Sequence, residues 1–292
     1  MLISDLVDTF IAWCGRHRSP ATVRFYRTRL RLFRSTFGTR EAPSLTSLEV
    51  DAYLHDAGLN VSDSTRHHNA VSLTTLQSFA LRESLIEKPW FKRLEKPRMG
   101  RRERIPTAEE IAALLKGATP EFRLIYTGLL QCGARPGELC RVQIGDVDWA
   151  KRRITLTEHK TARKTGKPRV IPIGMNFGQT LRKAIGDRQA GPIFLSPTGE
   201  AWSVGNLSST HRRLRDDAGL PRDLVLYLAR HRFGTEALRA GLPLKDVADL
   251  MGHASVTTTE IYLHRDVTEL AGGQDRLPAV WEPDDERSAM AI

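Results

Sequence analysis

Hydrophobic positions in the first third of the chain fall three and four residues apart, and nothing there alternates with a period of two. That spacing predicts helices only over residues 1 to about 88. The opening stretch, MLISDLVDTFIAWCGRHRSP, carries one apolar face. Ser19 followed by Pro20 reads as an N-cap with proline at the first helical position. Val23, Tyr26, Leu30, Phe33 and Phe37 then form a single stripe. Thr46 opens a further helix, with Glu49 completing a capping box, Leu45 placed to staple onto Val50, and Gly58 as its stop. A longer periodic segment runs from about Ser64 to Ile86. The pattern breaks at EKPWFKRLEKPRMGRRERIP, where three prolines and a dense run of basic residues replace any stripe. This stretch reads as an interdomain linker.

Beyond it the periods mix. Thr107 with Glu110 starts a capped helix, and FRLIYTGLLQ reads as a buried one. RRITLTEHKTARKTGKPRVIPI is two β-rich runs joined by a basic loop, a hairpin. GPIFLS reads as another short strand. Helical spacing returns from about Ser203, and the tail after Gly272 reads as poorly ordered. The expected organisation is an all-α helical domain over 1–88, a basic linker over 89–104, a mixed α+β, mainly helical domain with a small β-hairpin sheet over 105–272, and a tail over 273–292.

Charge sharpens this picture. The chain has 292 residues and a formal net charge of +10, and seven of those excess positive charges fall in residues 1–105. A cationic surface of this size suits a polyanion, and nucleic acid is the commonest one. Arg24, Arg27, Arg31 and Arg34 run beside the apolar stripe at helical spacing, and no acidic residue occurs between Arg16 and Arg40. They read as a ridge facing a phosphate backbone rather than a solvated face of mixed sign. The three cysteines form no CxxC, which argues against a disulfide framework or a structural zinc site. The N-terminus lacks a basic n-region, and no apolar run reaches the roughly 18 residues of a membrane span. A soluble, cytoplasmic, nucleoid-associated protein is expected.

Several cations resist a local explanation. Arg135 lies at a turn marked by Gly133 and Pro136–Gly137, with Glu138 three residues on and able to hold its fork. Arg230 opens an apolar helix, where a buried arginine needs partners. Lys160 stands at the base of the hairpin loop, with Lys164 and Lys167 further along it. His253 precedes Tyr262 by nine residues. Taken alone, Tyr262 reads as a core tyrosine. No carboxylate cluster for a divalent metal accompanies this set. Two arginines, a lysine, a histidine and a tyrosine suggest transfer of a phosphodiester onto a phenol. Guanidinium forks stabilise the charge of the pentavalent transition state, neighbouring cations favour the phenolate, and lysine or histidine protonates the leaving alkoxide.

TGLLQCGARPGEL, HKTARKTGKPRVIPI, YLARHRFGTEALRAG and LMGHASVTTTEIYLH resemble, in order and spacing, the four boxes of the tyrosine recombinase (phage integrase) family. SPATVRFYRTRLRLF and EKPW resemble its SAM-like core-binding domain. The resemblance implies a site-specific recombinase acting on double-stranded DNA target sites. Its catalytic set would be Arg135, Lys160, Tyr227, Arg230, His253 and the nucleophile Tyr262. DNA-binding roles are expected for Arg24, Arg27, Arg31, Arg34, Lys164 and Lys167, and a supporting role for Glu138. A 3′-phosphotyrosyl intermediate without ATP, metal or other cofactor is implied, as is a homotetramer in the synaptic complex, with a monomer as one option for the free protein. Tyr227 departs from the histidine common three residues before the second arginine, and adjacent His231 points elsewhere on the helix. The hairpin leaves Lys160 and Lys164 both open as the general acid. A type IB topoisomerase shares this chemistry. ALRAGLPLKDVADLMGHASVTTTEIY also reads as the helix-turn-helix of a non-catalytic regulator.

Overall fold

Serine and threonine hydroxyls set where most helices begin. Ser19, Thr46, Ser62, Thr107, Thr119 and Ser203 each accept from the backbone N–H three residues on, a cap typically worth about 1 kcal/mol. The structure is a computed structural model that describes residues 1–56, 61–91, 94–98, 104–157, 168–253 and 255–259. The chain divides into two units, Met1–Arg102 and Glu103–Ile292.

In the first unit the caps start α2 (Pro20–Phe37), α3 (Ser47–His55) and α4 (Asp63–Arg82), after α1 (Ile3–His17). The apolar stripe of α2 turns inward as its spacing requires. Leu30 and Phe33 are fully buried among Ile3, Leu6, Phe10 and Phe79, and Val23, Tyr26 and Phe37 pack against the same core. Each such buried Leu or Phe contributes about 1.5–3 kcal/mol. Gly58 lies outside the described residues, and α3 ends at His55. The helix expected to reach Ile86 stops at Arg82, because Ser84 takes a positive φ of 55° and Leu85 N–H turns back to Ala80 O at 2.8 Å.

The core of this unit runs past residue 88. Trp90, Phe91 and Leu94, within the stretch read as linker, are buried in it. This segment has no ladder of its own, so the buried Gln77 side chain satisfies its backbone. Gln77 Oε1 accepts from Trp90 N at 2.8 Å and Phe91 N at 3.1 Å, and Nε2 donates to Phe91 O at 3.0 Å.

The second unit is mainly helical around a small antiparallel sheet. Its order is α5 (Ala108–Lys116), α6 (Pro120–Cys132), α7 (Pro136–Leu139), β1 (Val147–Asp148), β2 (Arg153–Leu156), β3 (Arg169–Pro172), α8 (Met175–Ile185), α9 (Val204–Asp217), α10 (Leu228–Arg239) and α11 (Leu244–Met251). A 3₁₀ turn follows at Val256–Thr258. The central helix is α6, which packs against both α8 and α10. Strands β2 and β3 form the expected hairpin, with Ile154 opposite Ile171 and Leu156 opposite Arg169. The third strand is β1, paired with β2, and not GPIFLS. In that segment Ile193 and Phe194 are buried, but only isolated bridges form, Gln143 to Pro192 and Leu195 to Ala201. An apolar run was buried by packing there without a ladder, which periodicity alone does not distinguish. Among the described residues no helix is long and apolar enough to cross a membrane.

Candidate active site

The end of α6 positions two of the candidate residues. Gly133 closes that helix at φ +60°, and a Cβ there would lie 2.2 Å from the Phe233 ring, so both conformation and space demand glycine. Its carbonyl accepts from Arg230 Nη1 at 2.6 Å. Arg230, on the first turn of α10, is 1% exposed. Two residues past Gly133, Arg135 caps α7, with Pro136 at the first helical position. Glu138, 1% exposed, closes the turn: Oε2 accepts from Arg135 N at 3.0 Å and Oε1 from Nη1 at 2.7 Å. Burial alone would raise the Glu138 carboxyl, but the backbone N–H and guanidinium of Arg135, with Arg169 beyond, outweigh it and hold it below the ordinary carboxylate value.

The other arm of the Arg135 fork reaches across the unit. Nη2 donates to Gly252 O at 3.0 Å, immediately before His253. The His253 ring is half-buried, and its Nδ1 lies 2.7 Å from the Oγ1 of fully buried Thr259. Burial first, and then the charges of Arg230, Arg135 and Arg169 with His231, depress its pKa to about 4. The imidazole is therefore neutral at physiological pH in the free protein. Tyr227 stands one residue before α10, 39% exposed, its ring 5.4 Å edge-on from His231. It lines a cavity of about 340 Å³ together with Arg135, Arg141, Ser208 and Leu226.

The structure thus gathers Arg135, Glu138, Arg230 and His253 through a chain of backbone and side-chain contacts, and sets Tyr227 beside Arg135. Two residues in this network escaped the sequence reading. Thr259 is the last of three threonines in LMGHASVTTTEIYLH, and nothing in that spacing marks a contact with His253. Arg169 appeared as an ordinary strand residue, although its place in a β-rich run next to apolar Val170 and Ile171 is a signal of a sort. Lys160, Lys164, Lys167 and Tyr262 lie outside the described residues. Of the ridge, Arg24, Arg27 and Arg31 are exposed on α2. Arg34 is exposed too, but α1 brings Asp8 against it, and the carboxylate accepts from Nε at 3.0 Å and Nη2 at 2.7 Å. The bidentate pair takes up the fork that a phosphate would need.

The profile of the phage integrase family matches residues 105–269. The chain belongs to that family. Similar relatives include the tyrosine recombinase XerC of Chromobacterium violaceum, 28% identical over 93% of this chain and 95% of its own length. The XerC of Pelobacter propionicus is 25% identical over 89% and 90% of the two chains. Among solved structures, a lambda integrase fragment, a dimer bound to a core site, aligns over 88% of this chain and 97% of its own with a TM-score of 0.74 and 19% identity. The Tn1549 transposon integrase bound to transposon right-end DNA aligns over 95% and 99% with a TM-score of 0.72 and 20% identity. The structural likeness carries the fold, and the family carries the activity. The protein is a site-specific recombinase that cleaves and rejoins DNA strands.

Proposed function

We propose that this recombinase forms a 3′-phosphotyrosyl intermediate at Tyr262, on a scissile phosphate gripped by Arg135, Arg230, His253 and Tyr227. The observation that carries the reading is the convergence of guanidiniums on the His253 turn. Arg135 bonds the carbonyl before His253, Arg230 bonds the carbonyl two residues before Arg135, and their charges act on the same imidazole. Such a set stabilises the two negative oxygens that develop in a pentavalent phosphorane. The phenolate oxygen of Tyr262 attacks phosphorus. The bond to the 5′ oxygen breaks, and that oxygen takes a proton from Lys160 or Lys164. The new ester conserves the bond energy, and a partner strand's 5′-hydroxyl reverses the step. Neutral His253 presents Nε2 to a non-bridging oxygen, and donates to it in the tautomer in which Thr259 Oγ1 donates to Nδ1. Tyr227 donates a phenolic hydrogen bond in the same place.

The N-terminal helical unit acts as the core-binding module, with Arg24, Arg27 and Arg31 on the phosphate backbone and Lys164 and Lys167 adding contacts from the catalytic side. The working form is a homotetramer on two duplexes, and the protein acts on DNA of the cytoplasmic nucleoid. The test uses a nicked duplex carrying the site recovered from DNA flanking the gene, with oxygen or sulfur at the 5′-bridging position. A thiolate leaves without an acid. Lys160→Ala is expected to cleave the oxygen substrate about 10²–10⁴-fold slower and the sulfur substrate nearly normally. Arg135→Ala and Arg230→Ala stay slow on both. Sulfur rescue of Lys164→Ala instead moves the acid to that residue, and rescue of the arginine variants would overturn the phosphate-gripping roles.

A further inference from the structure

Strand β3 carries an arginine where its pattern calls for an apolar residue. Arg169 shares a face with Ile171, stands opposite Leu156 and is 6% exposed. A buried guanidinium is costly unless its donors are taken. Here the end of α11 and the strand's own Val170 carbonyl take those of the two terminal nitrogens, and Nε is left with an ion-pair contact only. Nη1 donates to Asp249 O at 2.9 Å and to Val170 O at 2.8 Å, and Nη2 donates to Leu250 O. A helix leaves its last four carbonyls without intrahelical partners. The turn gives Ala248 O the His253 N–H and Asp249 O the Gly252 N–H, and the guanidinium adds a second donor to Asp249 O and takes Leu250 O. The chain then turns at Gly252, φ +67°, directly against the same group, since a Cβ there would lie 2.7 Å from Arg169 Nε. The same Nε stands 3.8 Å from Oε2 of Glu138, the carboxylate whose Oε1 holds Arg135. Arg169 does not line the cavity beside Arg135 and Tyr227.

We propose that Arg169 is a positioning residue for strand cleavage, fixing where α11 ends and thereby where the His253 ring and the Arg135 fork meet the scissile phosphate. This rests on the phosphate-binding reading of His253 and Arg135. Only a planar fork serves the role. Arg169 meets Asp249 O, Val170 O, Leu250 O and the Glu138 carboxylate from three separate nitrogens, whereas an ammonium carries three donors on one atom and cannot serve all four. Misplacing a catalytic group by about 1 Å costs on the order of 10²-fold in rate.

The experiment is single-turnover cleavage of the nicked duplex at saturating full-length protein, with Kd by fluorescence anisotropy and folding by thermal melting. Arg169→Lys is expected to slow cleavage at least about tenfold with Kd within about twofold. Gly252→Ala reaches the same contact from the other side. Its control is Gly241→Ala, which likewise strains a positive-φ backbone, at +86°, with nothing within 4 Å of the new Cβ. Gly252→Ala should slow cleavage, Gly241→Ala should not, and the Arg169→Lys, Gly252→Ala double should be no slower than the worse single. Wild-type cleavage by Arg169→Lys overturns the proposal. So do equal effects of the two glycine variants, additive losses in the double, or slowing that only follows the unfolded fraction. Should the lysine variant fail to fold, the glycine pair decides alone. His253→Ala separates the two readings: a normal rate there defeats the phosphate assignment itself, whereas a slow His253→Ala beside a normal Arg169→Lys defeats only this one.

Discussion

Glu138→Gln tests how the arginine cluster is held. The substitution keeps shape and removes the charge. Glu138 accepts from the backbone N–H of Arg135 through one oxygen and from its guanidinium through the other, with Arg169 beyond. An amide offers one acceptor oxygen, so one of those bonds is lost and an NH₂ faces a donor. A hydrogen bond to a charged group is worth about 1.5–3 kcal/mol, and breaking a buried ion pair costs about 3–5 kcal/mol. Glu138 is 1% exposed but Arg135 is 18% exposed, so the lower end applies, about 3 kcal/mol. At roughly 2–4 °C per kcal/mol for a unit of this size, the melting point should fall by roughly 6–12 °C. The sign with pH follows from the depressed carboxyl. Its contribution is present above the unfolded value of about 4.3 and is lost as pH falls through the lower folded value. The gap between wild type and variant should therefore narrow in acid. Calorimetry from pH 7 to pH 3 measures both. A loss under about 1 kcal/mol at pH 7, or a gap that does not change with pH, would refute the reasoning.

Other expectations follow from the same contacts. Gly133→Ala should cost about 2–4 kcal/mol in urea unfolding, from the positive φ and the overlap with Phe233, and should slow cleavage by shifting the carbonyl that holds Arg230. Thr259→Val should slow single-turnover cleavage about 5–10-fold by freeing the His253 tautomer, and Thr259→Ser should restore it. In the free protein, NMR should find His253 titrating near 4, with stability falling as pH drops from about 6.5 towards that value. Replacing Arg24, Arg27 and Arg31 by Ala should flatten the slope of log Kd against log salt by up to about 3, whereas Arg34→Ala, whose fork is held by Asp8, should change it much less.

Local chemistry made much of this architecture readable in advance. The caps at Ser19, Thr46 and Thr107 depend on residues three apart, and the β2–β3 hairpin on a repeated pattern, so both appear in the linear order. The Arg135–Glu138 contact spans three residues and a proline-led turn, and was equally visible. Contacts made at a distance were not. Arg34 meets Asp8 only because α1 lies against α2, and Trp90 and Phe91 enter the first core with their backbone groups satisfied by Gln77, thirteen and fourteen residues away. Arg169 is the strongest case. Its partners at Asp249 and Leu250 lie some eighty residues away, and the one sign beside it in the chain is its spacing of two from apolar Ile171, which places it on the inward face but names no partner.

The central claim is that Tyr262 is the nucleophile and that the bond forms on the 3′ side of the break. The direct measurement is to trap the protein on the nicked duplex, digest the complex, and locate the nucleotide by mass spectrometry. The account predicts a single peptide in which Tyr262 carries a 3′-phosphate-linked nucleotide, and no adduct from a Tyr262→Phe protein that still binds the duplex. A nucleotide on any other residue, a 5′ linkage, or an adduct that survives the phenylalanine change would contradict it.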